Sequence, residues 1–385
     1  MTNFWILFVI FSIVVYAESY KGELLASVVI FREGQRTPLK EFSQDPWKSD
    51  WESIGYGQLS KSGKKQMYEL GKWIRERYAE HLPPVYTKNS IHVQAIDFDE
   101  AITSAYMVLA GLYPPVDNQT NDVADQQLIP VHTEKISNDF LFMGAACKQF
   151  PASTTTSSFR ESEYTDRDRL EERLGMKFDP NITLLDVFDT ISAARAMNLD
   201  KKPSWSDVNF MNVIENNIFN QLAESTSTLD QAKIKIGPLI YEITEYMNQF
   251  IPGPPKNVYK PKFKAVFYAA VLDTMISLIN GLQTAEVLVL PDHIPEFGSS
   301  IMFELREGYL GHKYINIFYK NSTDDLAQIK IKDCSLDCDY QIFLKKVQPL
   351  IHEHETAVAE CEDGPYEEPQ SLEDKYYGVI LPFGL

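Results

Sequence analysis

The feature that most constrains this chain is Val28-Val29-Ile30-Phe31 followed at once by Arg32-Glu33-Gly34-Gln35-Arg36-Thr37-Pro38. Four consecutive apolar, mostly β-branched residues predict a buried strand. Arg32-Glu33-Gly34 ends the run, and Pro38 closes the loop that follows. Charged side chains therefore stand at the carboxyl end of a strand, where open α/β sheets bind their ligands. Two arginines four residues apart can present forked donors to a phosphate.

Beyond an irregular loop at residues 47–57, Ser60 opens a helical pattern in which Met67, Leu70, Ile74, Tyr78 and Leu82 recur on one face. Pro83-Pro84 stops it. The order strand, loop, helix is the first half of a βαβ unit. A second strand is predicted at residues 91–96, then a helix at 101–112 capped by Asp97 or Asp99. Residues 264–272 return to strand character, and Asp273 or Thr274 caps a helix at 275–282. Two further strands are predicted at 300–305 and 314–319, and a last helix at 340–351.

Between residues 134 and 254 the texture changes. A Ser/Thr-rich loop at 153–158 precedes helical patterns at 161–176, 184–197, 208–222 and 239–250, with no strand alternation. The fold expected is α/β: a mostly parallel, doubly wound sheet flanked by helices, with a smaller inserted helical domain. The division expected is an α/β domain of residues 18–133 and 255–385, interrupted by a helical insert of residues 134–254.

The apolar run from Phe4 to Tyr16 carries no charge and is short for a membrane span. Val15 and Ala17 fit the small-residue cleavage rule, so residues 1–17 read as a secretory signal peptide cut after Ala17. An uncleaved N-terminal anchor is the alternative. The mature protein is expected to be secreted and extracellular, with no membrane attachment after cleavage. Asn118, Asn181 and Asn321 each open an Asn-x-Ser/Thr glycosylation triplet, which suits that compartment. Four cysteines permit two disulfides in three pairings. A net charge of −18 opposes binding to nucleic acid or anionic lipid and favours solubility in an extracellular fluid.

Arg32, Gly34, Arg36 and Pro38 resemble the signature Arg-His-Gly-x-Arg-x-Pro of the histidine acid phosphatases, whose members include prostatic, lysosomal and insect venom enzymes. The stretches Gly57-Gln58-Leu59-Ser60-Lys61-Ser62-Gly63 and Ala105-Tyr106-Met107-Val108-Leu109-Ala110-Gly111-Leu112-Tyr113-Pro114-Pro115 resemble the same family. The resemblance implies an α/β domain with a helical second domain, and a phosphoenzyme route to phosphate monoester hydrolysis. In the family a His is the nucleophile and the arginines hold the phosphate oxygens. Here Glu33 stands at the nucleophile position, and Glu100 matches a third clamping Arg. The family's His-Asp pair, in which the Asp protonates the leaving oxygen, falls on Val271 and Leu272 without a gap. A one-residue gap would instead place Leu272 and Asp273 there. The ungapped alignment is preferred because an insertion at a strand end would rotate every following helical side chain. The resemblance also pairs Cys147 with Cys361 and Cys334 with Cys338, and allows a homodimer.

On this alignment Arg32 and Arg36 are offset by Glu33 and Glu100, giving a net-neutral pocket filled by salt bridges. His81, His92, His132, His293, His312, His352 and His354 show no spacing of a triad or metal site, and no metal or cofactor is expected. The reading that results is a secreted phosphatase-like protein without catalytic residues, which binds an unidentified protein or small ligand. Weak acid phosphatase activity is the alternative.

Overall fold

The computed structural model describes residues 22–43, 45–115, 127–142, 168–169, 171–172, 177, 182–199, 208–253, 263–288, 294–322, 325–353 and 356–357. The signal segment, the acceptors Asn118 and Asn181, the cysteines Cys147 and Cys361, the 153–158 loop, His293 and His354 lie outside them.

Strand β1 (Glu23–Arg32) is the centre of the sheet, and every side chain from Ala26 to Arg32 is buried. It pairs parallel with β4 (Ala265–Ala270) and antiparallel with β5 (Ser300–Glu307). Beyond β4 lie β2 (Ile91–Ile96) and β3 (His132–Glu134), all parallel. Beyond β5 lie β6 (Lys313–Lys320) and β7 (Leu326–Ile329), antiparallel, with the short β8 (Cys338–Asp339) also on β6. The order β3-β2-β4-β1-β5-β6-β7 is thus a mixed sheet, parallel in one half and antiparallel in the other. Because β4 lies between β1 and β2, the chain leaves β1 and β4 side by side. Arg32 is level with Ala270, and this is the crevice where such sheets bind ligands.

Helix α1 (Lys48–Trp51) sits inside the stretch read as irregular, held by Asp45, whose carboxylate accepts from Trp47 N and Trp51 Nε1. Helix α2 (Lys61–Arg77) starts at the expected cap: Ser60 Oγ accepts from Gly63 N at 2.9 Å. It crosses α3 (Asp99–Leu112) at Gly71 and Gly111, where an added Cβ would lie 2.0 and 2.1 Å from the backbone oxygens of Val108 and Tyr68. The cap expected for α3 is corrected: neither Asp97 nor Asp99 caps it, and buried Phe98 occupies that position without a side-chain hydrogen bond. Core packing of the aromatic ring outweighs the cap, and Asp99 and Glu100 in the first turn supply the favourable negative charge.

Among the described residues the longer helices that follow are α4 (Leu184–Ala196), α5 (Val208–Glu224), α6 (Leu229–Asn248) and α7 (Leu272–Thr284). The apolar faces of α4 and α5 close over Phe42, Trp47, Trp51 and Ile276 in a second core. Helix α6 instead packs on the sheet through Ile236, Leu239, Ile240 and Ile243. It begins ten residues earlier than its apolar pattern suggests, from a Thr228/Gln231 capping box, and runs through Pro238. Helix α8 (Tyr340–Val347) follows the disulfide Cys334–Cys338. Among the described residues no helix is long and apolar enough to cross a membrane.

Candidate functional site

The loop after β1 is clamped on three sides. Arg32 N donates to Ser299 O, Glu33 N to Ala270 O, and Gly298 N to Glu33 O. Gly34 N donates to Ser104 Oγ on α3, and Gln35 N to Gln66 Oε1 on α2. Gly34 is required by closeness: an added Cβ would sit 2.6 Å from Met67 Cγ and 2.9 Å from Gly63 O. The loop is therefore rigid, and Arg32, Glu33 and Arg36 are all buried in it.

Their side chains meet. One oxygen, Glu33 Oε1, lies 3.3 Å from both Arg32 Nε and Arg36 Nε. Glu100, buried in the first turn of α3, approaches Arg36 Nε at 4.0 Å. The sequence reading missed the strongest partner, Asp189 on α4. Arg36 Nη1 lies 2.9 Å from its Oδ1 and 3.0 Å from its Oδ2, and Leu39 N donates to Oδ2. One signal was available, since an acid in a helix as apolar as Leu184–Ala196 needs a charged partner to be buried. Arg32 turns to the other side, donates to Pro295 O at 2.5 Å, and stacks on Phe297 at 4.0 Å.

Two guanidiniums and three carboxylates leave a formal charge of −1, not the net-neutral pocket expected. Burial alone would depress Arg36, but Asp189, Glu33 and Glu100 outweigh it and hold the guanidinium above its ordinary value. For Arg32 the balance goes the other way: desolvation lowers it despite Glu33 and Asp189.

The segment after β4 supplies no acid to this set. Val271 precedes α7 without a side-chain cap, and Leu272 packs against the second core. Asp273 is not the expected helix cap: its carboxylate is buried and bound by Lys235 Nζ of α6 at 2.7 Å. A buried lysine on the neighbouring helix outcompetes backbone N–H groups for the charge.

Above the loop a cleft of about 760 Å³ opens between α4, α5 and the segments 294–297 and 319–322. Arg32 and Gln35 form part of its floor, and Asn321 stands on its lining. None of the described histidines is on that lining. His92 and His132 stack on adjacent strands with ring centroids 5.0 Å apart, His81 bonds Lys264 O, and His312 lies 3.6 Å from Asp339. Among the described residues no three His, Cys, Asp or Glu side chains gather to hold a metal.

The comparisons with known proteins agree with this architecture. Venom acid phosphatase Acph-1 of Apis mellifera is 26% identical over 88% of this chain and 88% of its own. Prostatic acid phosphatase of Bos taurus is 28% identical over 86% of each chain. The solved apo phytase of Hafnia alvei superposes with a TM-score of 0.66 at 16% identity, covering 87% of this chain and 98% of that one. The family model of the histidine phosphatase superfamily (branch 2) matches residues 23–324, and the chain belongs to that family.

Proposed function

We propose that the protein is a secreted, catalytically inactive member of the family that serves as a binding protein. The observation that carries this reading is the occupation of the arginines. Arg36 is surrounded by Glu33, Glu100 and Asp189, and Arg32 by Glu33 and Pro295 O. Phosphoryl transfer needs a nucleophile, a positive cradle and a proton donor. A phosphate dianion entering here would meet a formal charge of −1 and would have to displace three carboxylates from their guanidiniums. A carboxylate nucleophile at Glu33 would face the same repulsion, with its Oε1 already shared between two arginines. Asp273, the one acid near the family's donor position, is neutralised by Lys235.

Secretion is supported by the apolar, charge-free leader ending at Ala17, and by relatives whose names include a venom enzyme. The test is hydrolysis of p-nitrophenyl phosphate by the purified protein between about pH 4 and 7, the range in which carboxylates and His titrate. An active acid phosphatase is assayed beside it. No turnover is expected. Turnover above background would establish the alternative, an acid phosphatase that uses Glu33 or Asp273.

A further inference from the structure

We infer that the cleft above the former phosphate loop is a seat for uncharged carbohydrate. The inference rests on the reading that this pocket no longer holds phosphate, and it names the chemical class that the pocket takes instead.

The volume of about 760 Å³ lies within the range of ligand pockets. Most side chains on the lining are polar, and their formal charges cancel: Arg32 and Arg195 are the cations, Glu215 and Glu296 the anions. Each is already engaged. Arg195 on α4 bridges Glu215 on α5 at 2.6 Å, Glu296 accepts from Ser322 Oγ, and Arg32 is held by Glu33 and Pro295 O. Little charge is left over for an anion or a cation, so the ligand that fits is uncharged. Phe188, Phe219 and Phe297 are buried, so they back the cleft without offering a broad ring face. A flat aromatic ligand would gain little there.

Two neutral polar side chains of the lining are not engaged. Ser192 is half-buried on α4, Asn216 is exposed on α5, and neither side chain makes a hydrogen bond among the described residues. Helix propensity does not explain Asn216, since Lys, Glu or Gln suits an exposed mid-helix position better. A hydroxyl and a carboxamide offer donors and acceptors without charge. A ligand that meets both carries neutral hydroxyls or amides around its rim and C–H groups between them, for which Ala196 and Ile294 are the apolar lining. That is the anatomy of a pyranose.

The chain can bring such a ligand to the site itself. Asn321 opens the acceptor triplet Asn321-Ser322-Thr323 and stands on the same lining. A glycan joined there starts at the cleft, and tethering holds it at an effective concentration of about the millimolar range, enough to fill a weak site. A free oligosaccharide of the same chemistry is the other source.

The experiment uses the full-length secreted protein, its Asn321→Gln variant, and three uncharged trisaccharides as probes: N,N′,N″-triacetylchitotriose, mannotriose and maltotriose. Titration calorimetry of Asn321→Gln is expected to show saturable binding of at least one of them, which inorganic phosphate does not displace. In that background Ser192→Ala and Asn216→Leu should each weaken binding about five-fold, one hydrogen bond's worth. Ser192→Trp, which fills the cleft, should abolish it. Asn220→Leu, exposed on α5 but off the lining, should change nothing. Circular dichroism and thermal melts of each should stay native, and the two conservative variants keep the test open if Ser192→Trp fails to fold. Mass spectrometry of the parent reads whether Asn321 is glycosylated. Weaker trisaccharide binding by a glycosylated parent than by Asn321→Gln upholds the site and assigns it to the chain's own glycan; equal binding upholds it and assigns it to a free oligosaccharide. No saturable binding of any of the three by Asn321→Gln, or binding that the Ser192 and Asn216 variants leave intact, overturns the inference while the inactive-pocket reading stands. Displacement of the bound trisaccharide by phosphate, or thermal stabilisation by phosphate, overturns that reading itself.

Discussion

Asp189 grips Arg36 through both carboxylate oxygens, at 2.9 and 3.0 Å, from a helix 153 residues further along the chain. The contact joins the loop that ends the central strand to the helical layer above it. It also takes the arginine most suited to clamp a phosphate. The pair is buried, so removing Asp189 leaves Leu39 N and one donor of Arg36 Nη1 without their acceptor, although Glu33 and Glu100 remain as counter-ions.

Asp189→Ala should therefore destabilise the protein by about 1–3 kcal/mol, read as a lower midpoint in urea unfolding. Asp189→Asn, which keeps an acceptor for Leu39 N, should cost less. A loss below about 1 kcal/mol for the alanine variant would mean that Glu33 and Glu100 suffice to hold Arg36.

Glu33→His restores the residue type of the family signature, but it should not create a phosphatase. Glu100 and Asp189 would still occupy Arg36, and Leu272 would still stand where a proton donor is needed. The expected result is background hydrolysis of p-nitrophenyl phosphate. Substantial turnover would show that Asp273 acts as the acid, and that the gapped alignment is right.

Lys235 and Asp273 form a second buried pair, at 2.7 Å, that joins α6 to α7. Lys235→Met or Asp273→Leu alone should each destabilise by about 3–5 kcal/mol, whereas the double variant should lie near the parent. A double-mutant cycle in denaturant measures this. Additive losses would place the stabilisation in contacts other than the pair.

Asp139 carries a pH dependence of opposite sign to that of a salt-bridged acid. Burial raises its carboxyl to about 7, although Oδ1 accepts from Leu141 N and Phe142 N. The folded state then holds a proton that the unfolded state loses above about pH 4. Its contribution to stability is present at low pH and is lost as pH rises to about 7. Asp139→Asn keeps the acceptor and removes the titration. The stability difference, variant minus parent, should grow between about pH 4 and 7, by on the order of 4 kcal/mol at most, and level off above. A difference independent of pH across that window would contradict the raised carboxyl.

The sequence by itself determined what is local. The apolar run Val28-Val29-Ile30-Phe31 specifies a buried strand, Ser60 with the spacing of Met67, Leu70 and Ile74 specifies a capped amphipathic helix, and Arg32 to Pro38 marks the loop between them. Periodicity and capping depend on neighbours a few residues apart, so they are legible along the chain. Resemblance placed Glu33 and Glu100 beside the arginines because they align with a known loop and helix. Only the tertiary structure decided what the charges do. Asp189 reaches Arg36, and Lys235 takes Asp273 from its expected role as a cap, because helices distant in sequence converge on the sheet's carboxyl edge. Phe98 replaces an aspartate at the start of α3 because the core has room for a ring there. The cleft, too, exists only where α4 and α5 face the segment before β5. Burial turns each of these into a strong interaction by removing water, and burial is a property of the packed whole.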